Sequence, residues 1–207
     1  IHWAYAYNYK DSEAEKRQYG GVVILTRNNA ASRVMESGKD DSGLGRWVWV
    51  RYRGRNGIAT RIICCYRPCV PSSNGSTGSV YAQHQRHFND KADDICPREA
   101  FTRDLGIEIQ SWLDSGDQLI LGLDANEDMR RGPVARMLRE KGMSDAVMAL
   151  HGMNAPPTTD FGSSVIDGLW VSPTLQPSEA GYLACGEAVP RTDHRCLWFD
   201  ISYQNMY

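Results

Sequence analysis

Two short acidic motifs in the second half of the chain hold the residue types that phosphate-ester hydrolysis needs. In Leu119-Ile-Leu-Gly-Leu-Asp124-Ala-Asn126-Glu-Asp, an apolar run ends in a carboxylate and an amide two residues apart. Side chains two apart on an extended segment point the same way, so Asp124 and Asn126 can enter one pocket. Thr192-Asp193-His194-Arg195 sets an acid beside an imidazole, just ahead of the strand-like Cys196-Leu-Trp-Phe-Asp-Ile201. Between them, Val165-Ile-Asp167-Gly-Leu-Trp-Val-Ser172 is a third apolar run carrying one acid. Taken singly, each motif is weak. An Asp after an apolar run is more often a turn residue, Asp-Gly is an ordinary turn signal, and a His beside an Asp is usually a surface or core residue. Order gives them weight: three strand-like runs each deliver a carboxylate near an end, and one adds a histidine. Strand ends and loops held by a rigid sheet are where catalytic groups tend to sit. The chemistry implied is metal-assisted hydrolysis.

The elements that must position these groups are mostly strands. Gly21 to Arg27 reads as a buried strand, and Arg46 to Arg53 alternates with period two. The turn-rich stretch Glu36–Gly43 between them reads as a hairpin loop. Gly57 to Tyr66 gives another strand, and Pro71–Ser79 an exposed loop. Tyr81, Gln85, Phe88, Ala92 and Ile95 recur at helical spacing. Phe101, Leu105, Ile109, Trp112 and Leu113 form a clear apolar stripe that ends near Gly116. A strand over 119–123 and a helix from Pro133 to Lys141 follow, with loop at Pro156–Gly162. Ile166–Ser172 and Cys196–Tyr203 read as the last strands. Strand pairs joined by hairpins, with helices interspersed, suit two packed sheets with helices outside.

Composition sets bounds. A length of 207 residues, 42% hydrophobic and 23% charged, is ordinary for one globular α/β domain. A net charge of −2 is not the strongly basic signature of a protein that grips nucleic acid by charge alone. Local patches would have to serve, with Arg51, Arg53 and Arg55 as one candidate and Arg130, Arg131 and Arg136 as another. Six cysteines without a Cys-x-x-Cys pair or zinc spacing read as buried free thiols in a reducing compartment, hence an intracellular protein. No apolar run of about 18 residues or more suggests a membrane span.

In order and local sequence the chain resembles the endonuclease/exonuclease/phosphatase superfamily. Asp124-Ala-Asn126 is similar to that family's Gly-Asp-Phe-Asn motif, with Leu123 and Ala125 in place of Gly and Phe. Val165–Ser172 resembles its Ile-Asp-Tyr-Ile-Phe-Val-Ser strand, and Thr192–Arg195 its Ser-Asp-His-Arg motif. Gly20-Gly-Val-Val-Ile-Leu25 resembles Gly-Gly-Val-Ala-Ile-Leu, and Ile62–Pro68 the Val-Tyr-x-Pro element. The match runs from about residue 20 to 202, and its spacing is most similar to the nuclease domains of retroelements.

The resemblance implies a DNase I-like α/β four-layer sandwich, two packed, mostly antiparallel sheets flanked by helices, in one domain over 1–207. It implies metal-dependent phosphodiester hydrolysis by an endonuclease, with Mg²⁺ or Mn²⁺ as cofactor and nucleic acid as partner, DNA ahead of RNA. A retroelement nuclease would be nuclear. Asp124 would orient or deprotonate the attacking water, and Asn126 would hold the phosphate. His194 would stabilise transition-state charge, Asp167 would fix the His194 tautomer, and Tyr66 would contact phosphate or leaving group. Asp193 would be a metal ligand, with Thr159 (or Thr158) and Arg67 as substrate contacts. The family's opening strands, one carrying an Asn and one ending in a metal-binding Gln-Glu, have no counterpart before Gly20. Glu13 and Glu15 lie in a charged stretch without strand pattern. The sequence therefore reads as a domain lacking its first strands. A catalytically impaired remnant or nucleic-acid-binding domain is the alternative, as is a phosphatase of lipid or inositol phosphates.

Overall fold

A computed structural model describes residues 1–10, 20–71, 77–188 and 192–206, so Glu13, Glu15 and part of the Pro71–Ser79 loop lie outside it. Six strands form the main sheet. In chain order they are β3 (Val34–Lys39), β4 (Trp47–Arg53), β5 (Ala59–Tyr66), β6 (Gln118–Asp124), β7 (Ser144–Asp145) and β8 (Asp167–Val171). Their spatial order is β3-β4-β5-β6-β8-β7, and every pairing is antiparallel except β5 with β6. That parallel step needs a crossover, supplied by α1 (Val80–Asp90) and α2 (Pro97–Asp114).

Both faces of this sheet are covered, so β5 and β6 are apolar on both sides. On one face α2 and α3 (Pro133–Glu140) pack over Trp47, Ile63, Cys65, Leu119, Leu121 and Trp170. The α2 stripe Phe101, Leu105, Ile109 and Trp112 is at most 6% exposed. Each such side chain contributes about 1.5–3 kcal/mol by leaving water. On the other face lie two separate hairpins: β1 (His2–Ala6) with β2 (Val22–Thr26), and β9 (Pro177–Tyr182) with β10 (Leu197–Ile201). Ala4, Ala6, Val22 and Ile24 of the first pack on Val48, Val50 and Tyr52. Leu197, Phe199 and Ile201 of the second pack on Ile120, Leu169 and Val171. α4 (Ala146–His151), N-capped by Asp145, closes that end.

Several expectations need correcting. The hairpin loop expected over Glu36–Gly43 is shorter, because β3 continues through Lys39. The helical spacing carried to Ile95 breaks at Lys91, and Ala92 takes a left-handed φ of 55°. The last strand stops at Ile201 and a turn of helix, Tyr203–Met206, follows. β1, β9 and α4 had no counterpart in the sequence reading. Of the arginine patch at 51–55, Arg51 is engaged. Arg51 and Arg61 both pair with the buried Asp117 carboxylate, at 2.9 Å each. The thiols are unpaired, but Cys69 is exposed and only Cys65 is fully buried. No helix among the described residues is long and apolar enough to cross a membrane.

Candidate active site

Register gathers the site. At one end of the main sheet Tyr66 lies beside Asp124, and Asp124 lies beside Asp167. Neighbouring strands stand about 4.8 Å apart, so three chemically active side chains project from adjacent rungs. The patch around Arg51 sits at the other end of these strands, five or six residues away at about 3.3 Å per residue. It cannot serve this site.

His194 arrives from the segment before β10. A bridge pairs it with Thr159, and the Arg195 amide donates to the Thr158 carbonyl at 2.8 Å. The His194 ring Nδ1 lies 2.9 Å from Asp167 Oδ2 and 3.1 Å from Oδ1. With Nδ1–H donating to the carboxylate, Nε2 is left for the pocket. Thr158 is fully buried, and its Oγ1 accepts from the Ile166 and Asp167 amides at 2.9 and 3.2 Å. It therefore anchors Asp167 and is no donor to substrate. Thr159 aligns the His194 segment.

Asn126 follows Asp124 in a left-handed turn with φ 48°. Its amide donates to Asp124 Oδ1 at 3.0 Å, and its Nδ2 donates to the Arg67 carbonyl at 2.7 Å. The Cys69 thiol, which the sequence reading had not placed here, donates to Asn126 Oδ1 at 2.9 Å and lies 3.8 Å from the Tyr66 hydroxyl. A small cavity of about 200 Å³ opens beside His194 between Ala184, Gly186, Thr192 and Cys196. A larger groove runs along α2 at Gly106, Ile107 and Met137, away from this chemistry.

Electrostatics follow from crowding. Burial, then the like charge of Asp167, pushes the Asp124 carboxyl up to about 6. Burial also raises Asp167, against the hydrogen bond with Thr158 and the pull of His194. For His194 burial works downward, but the Asp167 carboxylate outweighs it and the imidazolium is favoured. Burial, reinforced by Cys69, holds the Tyr66 phenol far above its usual range, so it stays a neutral donor.

Ligand atoms of Asp124, Asp167 and His194 lie within 4.8 Å of one another. Two carboxylates this close, one of them driven toward its neutral form, carry an excess of negative charge that a hard divalent cation would offset, and the donor set fits such an ion. Asp193 is outside this group. It is exposed, with its backbone carbonyl taken by the Asp160 amide at 2.9 Å. Asp193 sits at a bend just before the His194 bridge, and its charge still acts on the His194 ring and on Asp167. Arg67, expected to touch substrate, is only 3% exposed and bound to Glu127 at 2.6 Å. Of the second arginine patch, Arg130 pairs with Asp128.

No protein-family model and no curated protein matches the chain. Solved structures do. NExo of Neisseria, a 3′ phosphatase bound to a product DNA hairpin, matches with a TM-score of 0.66 at 15% identity, over 97% of this chain and 79% of that one. The human Nocturnin catalytic domain gives 0.61 at 13% identity, over 96% and 72%. An endonuclease/exonuclease/phosphatase family protein from Leptotrichia buccalis gives 0.60 at 14%, over 97% and 71%. This is the DNase I-like fold. At such identities the likeness is one of fold. It places the DNase I-like sandwich, mixed sheet and packed hairpins together, over nearly the whole chain.

Proposed function

We propose that this DNase I-like chain is a metal-dependent phosphodiesterase, an endonuclease acting on nucleic acid with DNA ahead of RNA. The observation that carries the reading is the row Tyr66, Asp124, Asp167 at one sheet end, with His194 locked onto Asp167. Hydrolysis of a phosphodiester forms a bond from water oxygen to phosphorus and breaks the one to the leaving oxygen. Asp124, whose carboxyl is raised to about 6 when no metal is bound and is ionised at neutral pH, is suited to orient the attacking water and accept its proton. His194 Nε2–H donates to a non-bridging oxygen as charge grows there. Asp167 stabilises that imidazolium and fixes its orientation. Tyr66 offers its hydroxyl to the phosphate or the leaving oxygen. Asn126 holds the phosphate side of the pocket with its remaining amide proton. A bound Mg²⁺ or Mn²⁺ would supply Lewis acidity at the phosphoryl oxygens, held by Asp124 with Asp167 beside it. Fold neighbours support nucleic acid as substrate: NExo is described with a DNA hairpin, and D. rerio TDP2 with a single-strand DNA product.

A second reading has its own support. Glu127 and Asp128, the acids nearest the catalytic turn, are engaged by arginines, which leaves few carboxylates for a metal. A binding domain with an impaired site would look like this. Cleavage of plasmid, single-stranded DNA, RNA and phosphoinositides over a range of Mg²⁺ and Mn²⁺ separates the two. Metal-dependent nicking that His194→Ala abolishes supports the nuclease. Retention of DNA without turnover on any substrate supports the binding domain.

A further inference from the structure

Three successive carbonyls of the catalytic turn are held, the first by a main-chain amide and the next two by arginine side chains. The Asp124 carbonyl accepts from the Arg67 amide at 2.9 Å, and the Ala125 carbonyl from Arg67 NH1 at 3.3 Å. The Asn126 carbonyl accepts from Arg98 NH2 at 3.0 Å. Arg98 spans further, with NH1 donating to the Pro68 carbonyl at 2.5 Å, so one guanidinium ties the end of β5 to the turn after β6. Glu127 binds both arginines through Oε2, at 2.6 Å from Arg67 and 3.4 Å from Arg98. Its other oxygen accepts the Val134 amide at 2.7 Å, in the first turn of α3, whose N-cap position is a glycine without a side chain to do so. Gly132 leaves the room for this: a Cβ there would lie 2.5 Å from Glu127 Oε1. The cluster is buried, with side chains 4%, 10% and 12% exposed for Arg67, Glu127 and Arg98.

A buried network this complete rigidifies what it touches. What it touches is the turn that carries Asn126, a residue type that tolerates the left-handed region and is held there in one geometry. Bidentate, planar guanidinium groups are suited to holding two carbonyls in fixed relation, which an ammonium is not.

We propose that Arg67, Arg98 and Glu127 are positioning residues that lock the Asp124–Asn126 turn, so that Asn126 presents its side chain to the phosphate in one orientation. This rests on reading the site as a phosphodiesterase, and none of the three touches substrate. Arg98 is the residue to test, since Met keeps its stem and removes only the fork. Arg98→Met should lower kcat at least tenfold while KM stays within twofold, and Arg98→Lys should recover part of that loss. Wild-type kcat with only a lower melting temperature would overturn the proposal, as would a raised KM at unchanged kcat, which would make Arg98 a substrate contact. The Asn126 side-chain amide, assigned in ¹⁵N–¹H spectra by comparison with Asn126→Asp, reads the same device without turnover. One sharp pair in the wild type that broadens or doubles in Arg98→Met supports the proposal even if no substrate is cleaved. A sharp pair in both proteins overturns it.

Discussion

Replacing Asp124 by Asn should make the protein more stable at neutral pH while removing its activity. The Asp124 carboxyl is moved from 3.8 to about 6 by burial and by Asp167. Its ionised form is therefore destabilised in the folded state by up to ~3 kcal/mol, at about 1.4 kcal/mol per unit. Asn is nearly isosteric, and its Oδ1 can keep the bond from the Asn126 amide. That net shift already includes the attraction of the His194 imidazolium, so a gain of about 1–3 kcal/mol is expected. The pH dependence identifies the cause. Below 3.8 Asp124 is protonated in folded and unfolded chains alike, and the two proteins should be equally stable. Between 3.8 and about 6 the unfolded wild type gives up its proton first, so wild-type stability falls as pH rises and the gap opens. Above 6 the gap is constant. Urea unfolding of both proteins at pH 4 to 8 in a chelator measures it, and millimolar Mg²⁺ should narrow it by stabilising only the wild type. A variant less stable than wild type at pH 7, or a gap that does not change with pH, would refute the electrostatic account of this site.

His194→Ala should lower turnover on the order of a hundredfold or more with little loss of stability, which steady-state rates and melting curves check together. Thr158→Val removes the hydroxyl that accepts two buried amides, and should cost about 1–3 kcal/mol in urea unfolding as well as activity. Mg²⁺ should bind weakly, since the ion keeps its waters unless several carboxylates compensate, and titration calorimetry should find a dissociation constant in the millimolar range. Tight binding would show that Asp193 or Asp128 turns inward to complete the shell.

The juxtaposition of Tyr66, Asp124 and Asp167 was legible because each lies at an end of an apolar, β-rich run, and a strand delivers its terminal side chains to a predictable edge. Other parts were hidden for physical reasons. β1 alternates with period two, but its small residues Ala4 and Ala6 face in while Trp3 and Tyr5 face out, the reverse of the usual pattern. β3 is a polar edge strand that reads as a loop. Arg67 looked like a substrate contact because a sequence does not reveal that its counter-ion, Glu127, stands 60 positions away. Asp193 and His194 are neighbours in sequence, but the bend at Asp193 leaves that side chain exposed while His194 turns to Asp167.

The hairpin layer divides the molecule's cooperativity. β5 and β6 are hydrogen-bonded on both sides within the main sheet, whereas β1–β2 and β9–β10 each hold one strand partner and rest on the sheet through side chains. Amides in the hairpins should therefore exchange with solvent at free energies below that of global unfolding. His194 leads into β10, while Asp124 and Tyr66 belong to the main sheet. The site is assembled from two units of unequal stability. Local opening of one hairpin can withdraw the imidazole from its carboxylates long before the protein melts, so mild heat or dilute denaturant should silence the chemistry of a chain that is otherwise folded.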